Sequence, residues 1–211
     1  MKTLNNKQVK EILIKLNLVF QDKMEELSQY DAVIGDGDHG VTMARGFKVA
    51  SEKIESLEDE SVNGYFKKFG RALISELGGA IGPLFGSIFT ELSKELKGKE
   101  NLGLNELSKG LQRAQNKIEE LGGATVGDKT MVDSIDPVVK SLKKSLEEEK
   151  SLEEALKLAK NAAKEGVQST IPLIAKRGRS KFLQEKSIGH QDAGATSFYY
   201  LIKTICDFVN K

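Results

Sequence analysis

The sequence predicts an all-α protein of about eight helices, folded as one domain over residues 1–211. Three observations carry that expectation. Apolar residues recur at three- and four-residue spacing almost throughout. Alternating runs of the kind that build strands are nearly absent. The glycines gather in clusters that fall at alternate junctions between the helical stretches. An apolar content of 39% against 30% charged residues suits a soluble helical protein large enough to bury a core.

Each element follows from its own stripe. Val9, Ile12, Leu13, Leu16, Val19, Phe20, Met24 and Leu27 mark a long first helix, and Val41, Ala44, Phe47, Ala50 and Ile54 a second. Val62, Tyr65, Phe66, Phe69, Leu73 and Leu77 form a third, stopped by Gly78-Gly79. Pro83 suits the first turn of a fourth, where its missing N–H costs nothing, and Leu84, Phe85, Ile88, Phe89, Leu92 and Leu96 continue it. Leu104 to Leu121 supplies a fifth, ended by Gly122-Gly123, and Met131 to Leu146 a sixth, with a bend expected at Pro137. Leu152 to Val167 gives a seventh and Ala195 to Phe208 an eighth.

In an up-and-down arrangement alternate junctions lie at the same end. The clusters Gly35–Gly40, Gly78–Gly86, Gly122–Gly127 and Gly178–Gly194 would then converge on one rim, with the Lys/Glu-rich connections at the other. That makes the glycine rim the candidate site.

Several function classes are disfavoured. A formal net charge of +1 gives no global reason to expect nucleic acid or a membrane surface as partner. The Lys/Glu run from Lys140 to Lys164 reads as a solvated helix face. No stretch is long and apolar enough to span a bilayer, and the polar N-terminus lacks the apolar run of a signal peptide. Cys206 is the single cysteine and lies beside Ile202, Ile205 and Val209, so it reads as core, and a reducing cytoplasmic location is expected.

The densest motif is Asp31-Ala-Val-Ile-Gly-Asp36-Gly-Asp38-His39-Gly40. Three carboxylates this close repel one another unless a cation lies between them, and magnesium is the hard, oxygen-seeking ion that keeps positions open for phosphates. Gly35 to Gly40 literally fits a dinucleotide fingerprint, but no βαβ context surrounds it. An EF-hand fails because the twelfth position from Asp36 is Phe47. Asp38 is also a candidate helix cap and Asp31 a candidate exposed acid. Gly127-Asp-Lys-Thr130 is a near miss to a phosphate-binding loop, and Thr130 is equally a candidate cap. Gly78-Gly79-Ala80-Ile81-Gly82-Pro83 either joins two helices or lets a phosphate approach the backbone. The basic run Lys176 to Lys181 faces the acidic loop in this arrangement, and arginine's planar fork suits phosphate oxygens. His39 and His190 both fall in glycine turns rather than on apolar faces, while Asp192 is also a candidate cap of the last helix.

With these loops in hand, the sequence resembles the family of nucleotide-binding L subunits of dihydroxyacetone kinases linked to the phosphotransferase system. The matching segments are Ile34-Gly-Asp-Gly-Asp-His-Gly40, Gly78-Gly-Ala-Ile-Gly-Pro-Leu-Phe-Gly86, Gly127-Asp-Lys-Thr-Met131, and Gly178-Arg179 with Ser187-Ile-Gly-His-Gln-Asp-Ala-Gly-Ala-Thr-Ser197. The resemblance implies a closed up-and-down barrel of eight antiparallel helices with ADP or ATP at one rim. It implies that Asp31, Asp36 and Asp38 hold two magnesium ions, with Arg179 beside them in the chemistry. It further implies a pocket of His39, Gly40, Val41, Thr42, Ala80, Ile81, Gly123, Thr130, Met131, Arg179, Asp192, Ala193 and Gly194. The partners it implies are a phosphoryl-donor M subunit and a K subunit that holds dihydroxyacetone. Ile81 stands where the family commonly has serine, Gln184 where it has glycine, and Lys186 where it has arginine. Two other readings fit the same loops: a nucleotide-binding regulatory module that docks on a transcription regulator, and a kinase subunit for another substrate such as a fatty acid.

Overall fold

The computed structural model describes residues 2–211. Nine α-helices and one 3-10 segment make up its regular structure, together with a two-residue antiparallel strand pair, β1 (Thr3–Leu4) and β2 (Leu102–Gly103). The strand pair buries Leu4 and Leu102 and ties the start of the chain to the connection ahead of the sixth helix. It is too short to show an alternating pattern in the sequence.

The first predicted helix is two. α1 (Asn6–Asp22) and α2 (Met24–Ile34) are separated by Lys23 alone. The hydrogen-bond ladder nearly bridges the gap, since Lys23 N–H donates to Val19 C=O at 2.9 Å and Leu27 N–H to Lys23 C=O at 3.0 Å. With no glycine or proline there, the apolar stripe reads straight through. The remaining helices are α3 (His39–Glu55), α4 (Val62–Glu76), α5 (Ile81–Glu95), α6 (Leu104–Gly122), α7 (Val132–Glu147), α8 (Leu152–Ser169) and α9 (Ala193–Val209). α7 runs unbroken through Pro137. The 3-10 segment, Arg179–Ser187, has almost no apolar stripe and was not expected from the sequence.

From α3 onward, consecutive helices pack against one another, and α1 lies against α3 and α9. Phe20, Phe47, Phe69 and Phe89, from α1, α3, α4 and α5, pack at the centre in tilted and edge-on pairs with centroid separations of 4.1 to 6.0 Å. All four are fully or almost fully buried. Truncating such a ring to alanine costs about 3–5 kcal/mol through lost transfer energy and the cavity left behind. This core fixes the helices whose ends carry the loops described next. Cys206 is buried and belongs to the same core. Among the described residues no helix is long and apolar enough to cross a membrane.

Candidate functional site

The acidic loop joins α2 to α3, and its shape follows from small residues. Asp31 sits in the last turn of α2, and a Cβ on Gly35 would lie 2.2 Å from its Oδ1. Glycine is what lets this carboxylate lie against the chain. Asp31 Oδ2 accepts the His39 N–H at 3.3 Å, linking the end of α2 to the start of α3. One oxygen from each of Asp31, Asp36 and Asp38 lies within 4.8 Å of the others. Partial burial pushes the Asp31 carboxyl above its ordinary range, and the charges of Asp36 and Asp38 add to the shift. The Arg179 guanidinium forms an ion pair with Asp36 across the rim. An all-oxygen donor set of three carboxylates fits a hard divalent ion.

Asp38 occupies the position before α3 but makes no side-chain cap, because its backbone is already helical (φ −93°, ψ −8°). Its carboxylate is therefore left for the acidic cluster. The starts of α5 and α7 behave alike. Ala80 and Met131 precede them in helical conformation and neither makes a side-chain cap. The residue before each of these helices therefore caps nothing, but Asp31 takes the His39 N–H of α3 and Thr130 the Val132 N–H of α7, which leaves the start of α5 without a side-chain partner, where anions are favoured.

These ends open on one cavity of about 490 Å³, a size suited to a small-molecule ligand. All four glycine clusters reach it. Of the residues picked out in the sequence, Asp31, Asp36, Asp38, His39, Thr42, Ala80, Ile81, Thr130, Met131, Arg179, Asp192, Ala193 and Gly194 line the wall. The structure does not bring Gly40, Val41 and Gly123 to that wall. A Cβ on Gly40 would fall 1.9 Å from the Met24 carbonyl, so this glycine serves the close approach of α3 to α2. Val41 is largely exposed on the outside of α3. Gly123 closes α6 in the left-handed conformation (φ 61°). Sequence reasoning missed Arg45, Leu84, Phe85, Ile118 and Val132, which also line the cavity, as do Lys129, Arg177 and Ser180 from the third loop and the basic run. Arg45 follows Thr42 by three positions on α3, a spacing that could have found it. Leu84, Phe85 and Ile118 belong to the core stripes, but they also give the cavity an apolar part of its lining.

Buried acids hold the third glycine loop. Asp133 accepts the Gly127 N–H at 2.6 Å and the Thr130 N–H at 2.8 Å. Asp128 accepts the Thr125 N–H at 3.0 Å and pairs with Lys176 and Arg177, so two members of the basic run anchor the loop. Those hydrogen bonds and cations hold the Asp128 carboxyl below its ordinary range, in spite of burial. Thr130 does act locally as a cap, its Oγ1 accepting the Val132 N–H at 3.2 Å.

The two histidines separate. His39 is buried, with only 7% exposure, beside Phe85, and its Nε2 lies 2.8 Å from Ser197 Oγ. Burial pushes its pKa down to about 4, so the ring is neutral at pH 7. The expectation that it lies away from apolar surroundings is therefore corrected. His190 is exposed. Asp192 caps α9 by accepting the Ala195 N–H at 2.6 Å, and burial, with Asp133 and Asp31 nearby, pushes its pKa up to about 7.

Residues 33–207 match the model of the DAK2 domain family. The chain is 37% identical to the ADP-binding subunit of the PEP-dependent dihydroxyacetone kinase of Escherichia coli K12, covering 96% of this chain and 97% of that one. It is 35% identical to the D-erythrulose kinase of Mycolicibacterium smegmatis, over 89% of this chain and 33% of that longer protein. A crystal structure of the dihydroxyacetone kinase from C. freundii, in complex with AMP-PNP and Mg2+, superposes with a TM-score of 0.72 at 25% identity, covering 98% of this chain. This chain spans 35% of the length of that structure's chain.

Proposed function

Because the chain belongs to the DAK2 domain family, we propose that it is the nucleotide-binding subunit of a dihydroxyacetone kinase, its helices closed into an antiparallel barrel. It holds magnesium-bound ADP or ATP and passes a phosphoryl group from a phosphotransferase-system M subunit to dihydroxyacetone on a separate K subunit. The observation that carries this reading is the convergence of three carboxylates and the uncapped N-terminus of α5 on one cavity. The names of relatives that cover the same length support it.

Asp31, Asp36 and Asp38 would hold two magnesium ions, whose charge offsets that of the phosphates. Arg179, now paired with Asp36, is placed to exchange that carboxylate for a phosphoryl oxygen once the acids are engaged. The N–H groups opening α5 orient the phosphates, and Leu84, Phe85 and Ile118 supply an apolar wall for the base. No side chain is needed as a nucleophile: positioning and charge neutralisation bring the phosphoryl group to an acceptor hydroxyl held by the partner. Phe182, in the 3-10 segment, and Val126, in the third glycine loop, are both exposed near residues that line the cavity and suit a rim that meets another protein.

Mixing the chain with K subunit, dihydroxyacetone and phosphorylated M subunit tests the proposal, with ATP alone as a second arm. Dihydroxyacetone phosphate should form with the M subunit. An inert mixture containing a chain that still binds Mg-ADP would overturn the transferase reading in favour of a regulatory module docking on a transcription regulator. The 35% identity to a D-erythrulose kinase favours one further reading, a four-carbon ketose as acceptor, which the same mixture reports with erythrulose in place of dihydroxyacetone.

A further inference from the structure

Lys129 has a task that the nucleotide reading does not assign. It is the least exposed charged side chain among the described residues, at 2%. Its ammonium donates to the backbone carbonyls of Thr170 (2.6 Å), Ile171 (3.4 Å) and His190. An ammonium has three N–H donors, so this set satisfies it completely. Its backbone is held left-handed at φ 60°, a conformation that residues with side chains rarely adopt and that persists only where surroundings over-determine it.

The three carbonyls come from two segments, the end of α8 and the turn before α9. Both are wired to the cavity. Thr170 Oγ1 accepts the Asp192 N–H at 3.0 Å, and the Ile171 carbonyl also accepts the Gly189 N–H at 2.8 Å. Lys129 itself immediately precedes Thr130 and Met131, which line the cavity beside Asp192, Ala193 and Gly194. Burial pushes the ammonium's pKa down, while Asp192 and Asp133 oppose the shift. A monovalent cation surrounded by backbone carbonyls is the arrangement that potassium and ammonium ions also accept.

We propose that Lys129 is a positioning residue for the nucleotide cradle: a tethered cation in a carbonyl cage that fixes the third glycine loop against the fourth. The proposal rests on the reading of the cavity as a nucleotide site. Its distinguishing consequence is chemical. If the side chain is cut back, a free ammonium ion of the right size can take the place of its terminal group.

The test compares wild type, Lys129→Ala and Lys129→Met by titration calorimetry with Mg-ADP, in tetramethylammonium chloride and then with ammonium chloride added. Both variants should bind Mg-ADP at least about tenfold more weakly, since a wall of the cradle has lost its lock. Ammonium at ~100 mM should restore most of that loss in Lys129→Ala by mass action. It should leave wild type and Lys129→Met unmoved, because the methionine chain fills the cage. Unchanged affinity in both variants, or a loss in Lys129→Ala that ammonium does not repair, overturns the cage. If Lys129→Ala melts too low to titrate, its melting temperature carries the same test: a rise with ammonium confined to that variant supports the cage, and an equal response in all three overturns it. Wild type that fails to bind Mg-ADP removes the nucleotide reading, whereas binding by wild type with unaltered variants removes the cage alone.

Discussion

The two ends of this helical array begin their helices in different ways. At the end away from the cavity, Asn5 caps α1 in a reciprocal box with Gln8, Ser61 caps α4, and Ser151 caps α8 in a box with Glu154. Gly103, ahead of α6, donates its N–H to Glu106. The cap residues there are extended, with ψ of 178° at Asn5, 157° at Ser61 and 158° at Ser151, so a side chain can reach back to the first turn. At the cavity end, Asp38, Ala80 and Met131 are already helical and cap nothing. Only α9, capped by Asp192, follows the pattern of the far end. One end uses side chains at the cap position or in the first turn; at the other, Asp31 reaches the first N–H of α3 and Thr130 that of α7, and α5 has no side-chain cap. Local stability and ligand affinity are therefore separable by position, which single substitutions can break or sharpen.

The largest effect belongs to the acids. Asp36→Asn should lower phosphoryl transfer by at least about 100-fold with all partners supplied, because the cluster loses both a metal ligand and the counter-charge of Arg179. Helix content by circular dichroism should be unchanged, since Asp36 is exposed and outside the core. Full transfer activity in the variant would remove the metal assignment.

A second effect separates the ends by pH. His39 is neutral and buried at the rim, with a folded pKa of about 4 against 6.5 for an ordinary imidazole. Between those values the unfolded chain binds more protons, so the slope of stability against pH is positive there. The contribution is complete above pH 6.5 and is lost as pH falls towards 4, amounting to about 3 kcal/mol at the lower end. Denaturant melts of wild type and His39→Gln across this range should therefore converge as pH falls. Parallel curves would mean that the imidazole titrates normally.

The helices and the rim were legible in the sequence, whereas the contrast in capping was not, and the misses have physical causes. The apolar stripes located the helices because each buries one face, and the glycine clusters located the cavity because they fall at alternate junctions. Lys23 broke the first helix invisibly, since the ladder bonds nearly continue across it. The 3-10 segment Arg179–Ser187 was missed because it buries only Ser187 and so carries no stripe. The burial of His39 was hidden because a glycine-rich turn does not say which way the first residue of the next helix points. Lys129 looked like part of a near-miss phosphate loop, and only the tertiary fold supplies the carbonyls from residues 170, 171 and 190 that occupy it. Gly40 carries a packing demand that the sequence does not show, since a Cβ there would meet the backbone of α2.

A third prediction acts on the rim's open helix end. Ala80→Asp places a carboxylate at the start of α5, where the helix dipole favours it by about 0.3–1 kcal/mol. The melting temperature should hold or rise slightly. Mg-ADP affinity should fall by about tenfold, because the new charge competes for the same N–H groups and repels phosphate. Unchanged affinity measured by calorimetry would show that the α5 terminus does not face the nucleotide.

The smallest effect is the counterpart at the far end. Ser61 Oγ accepts the Gly64 N–H at 3.0 Å, and its removal in Ser61→Ala leaves that donor to water. The expected cost is about 1 kcal/mol of stability, read as a lower denaturant midpoint with the slope unchanged. Mg-ADP affinity should stay within error, since α4 begins at the end opposite the cavity and its cap touches none of the lining residues. Ala80→Asp is expected to trade affinity for neutral or better stability, so Ser61→Ala must show the reverse for the comparison to hold. If Ser61→Ala also weakened nucleotide binding, the two ends would be coupled through α4 and α5, and the division of labour between side-chain caps and ligand would fail.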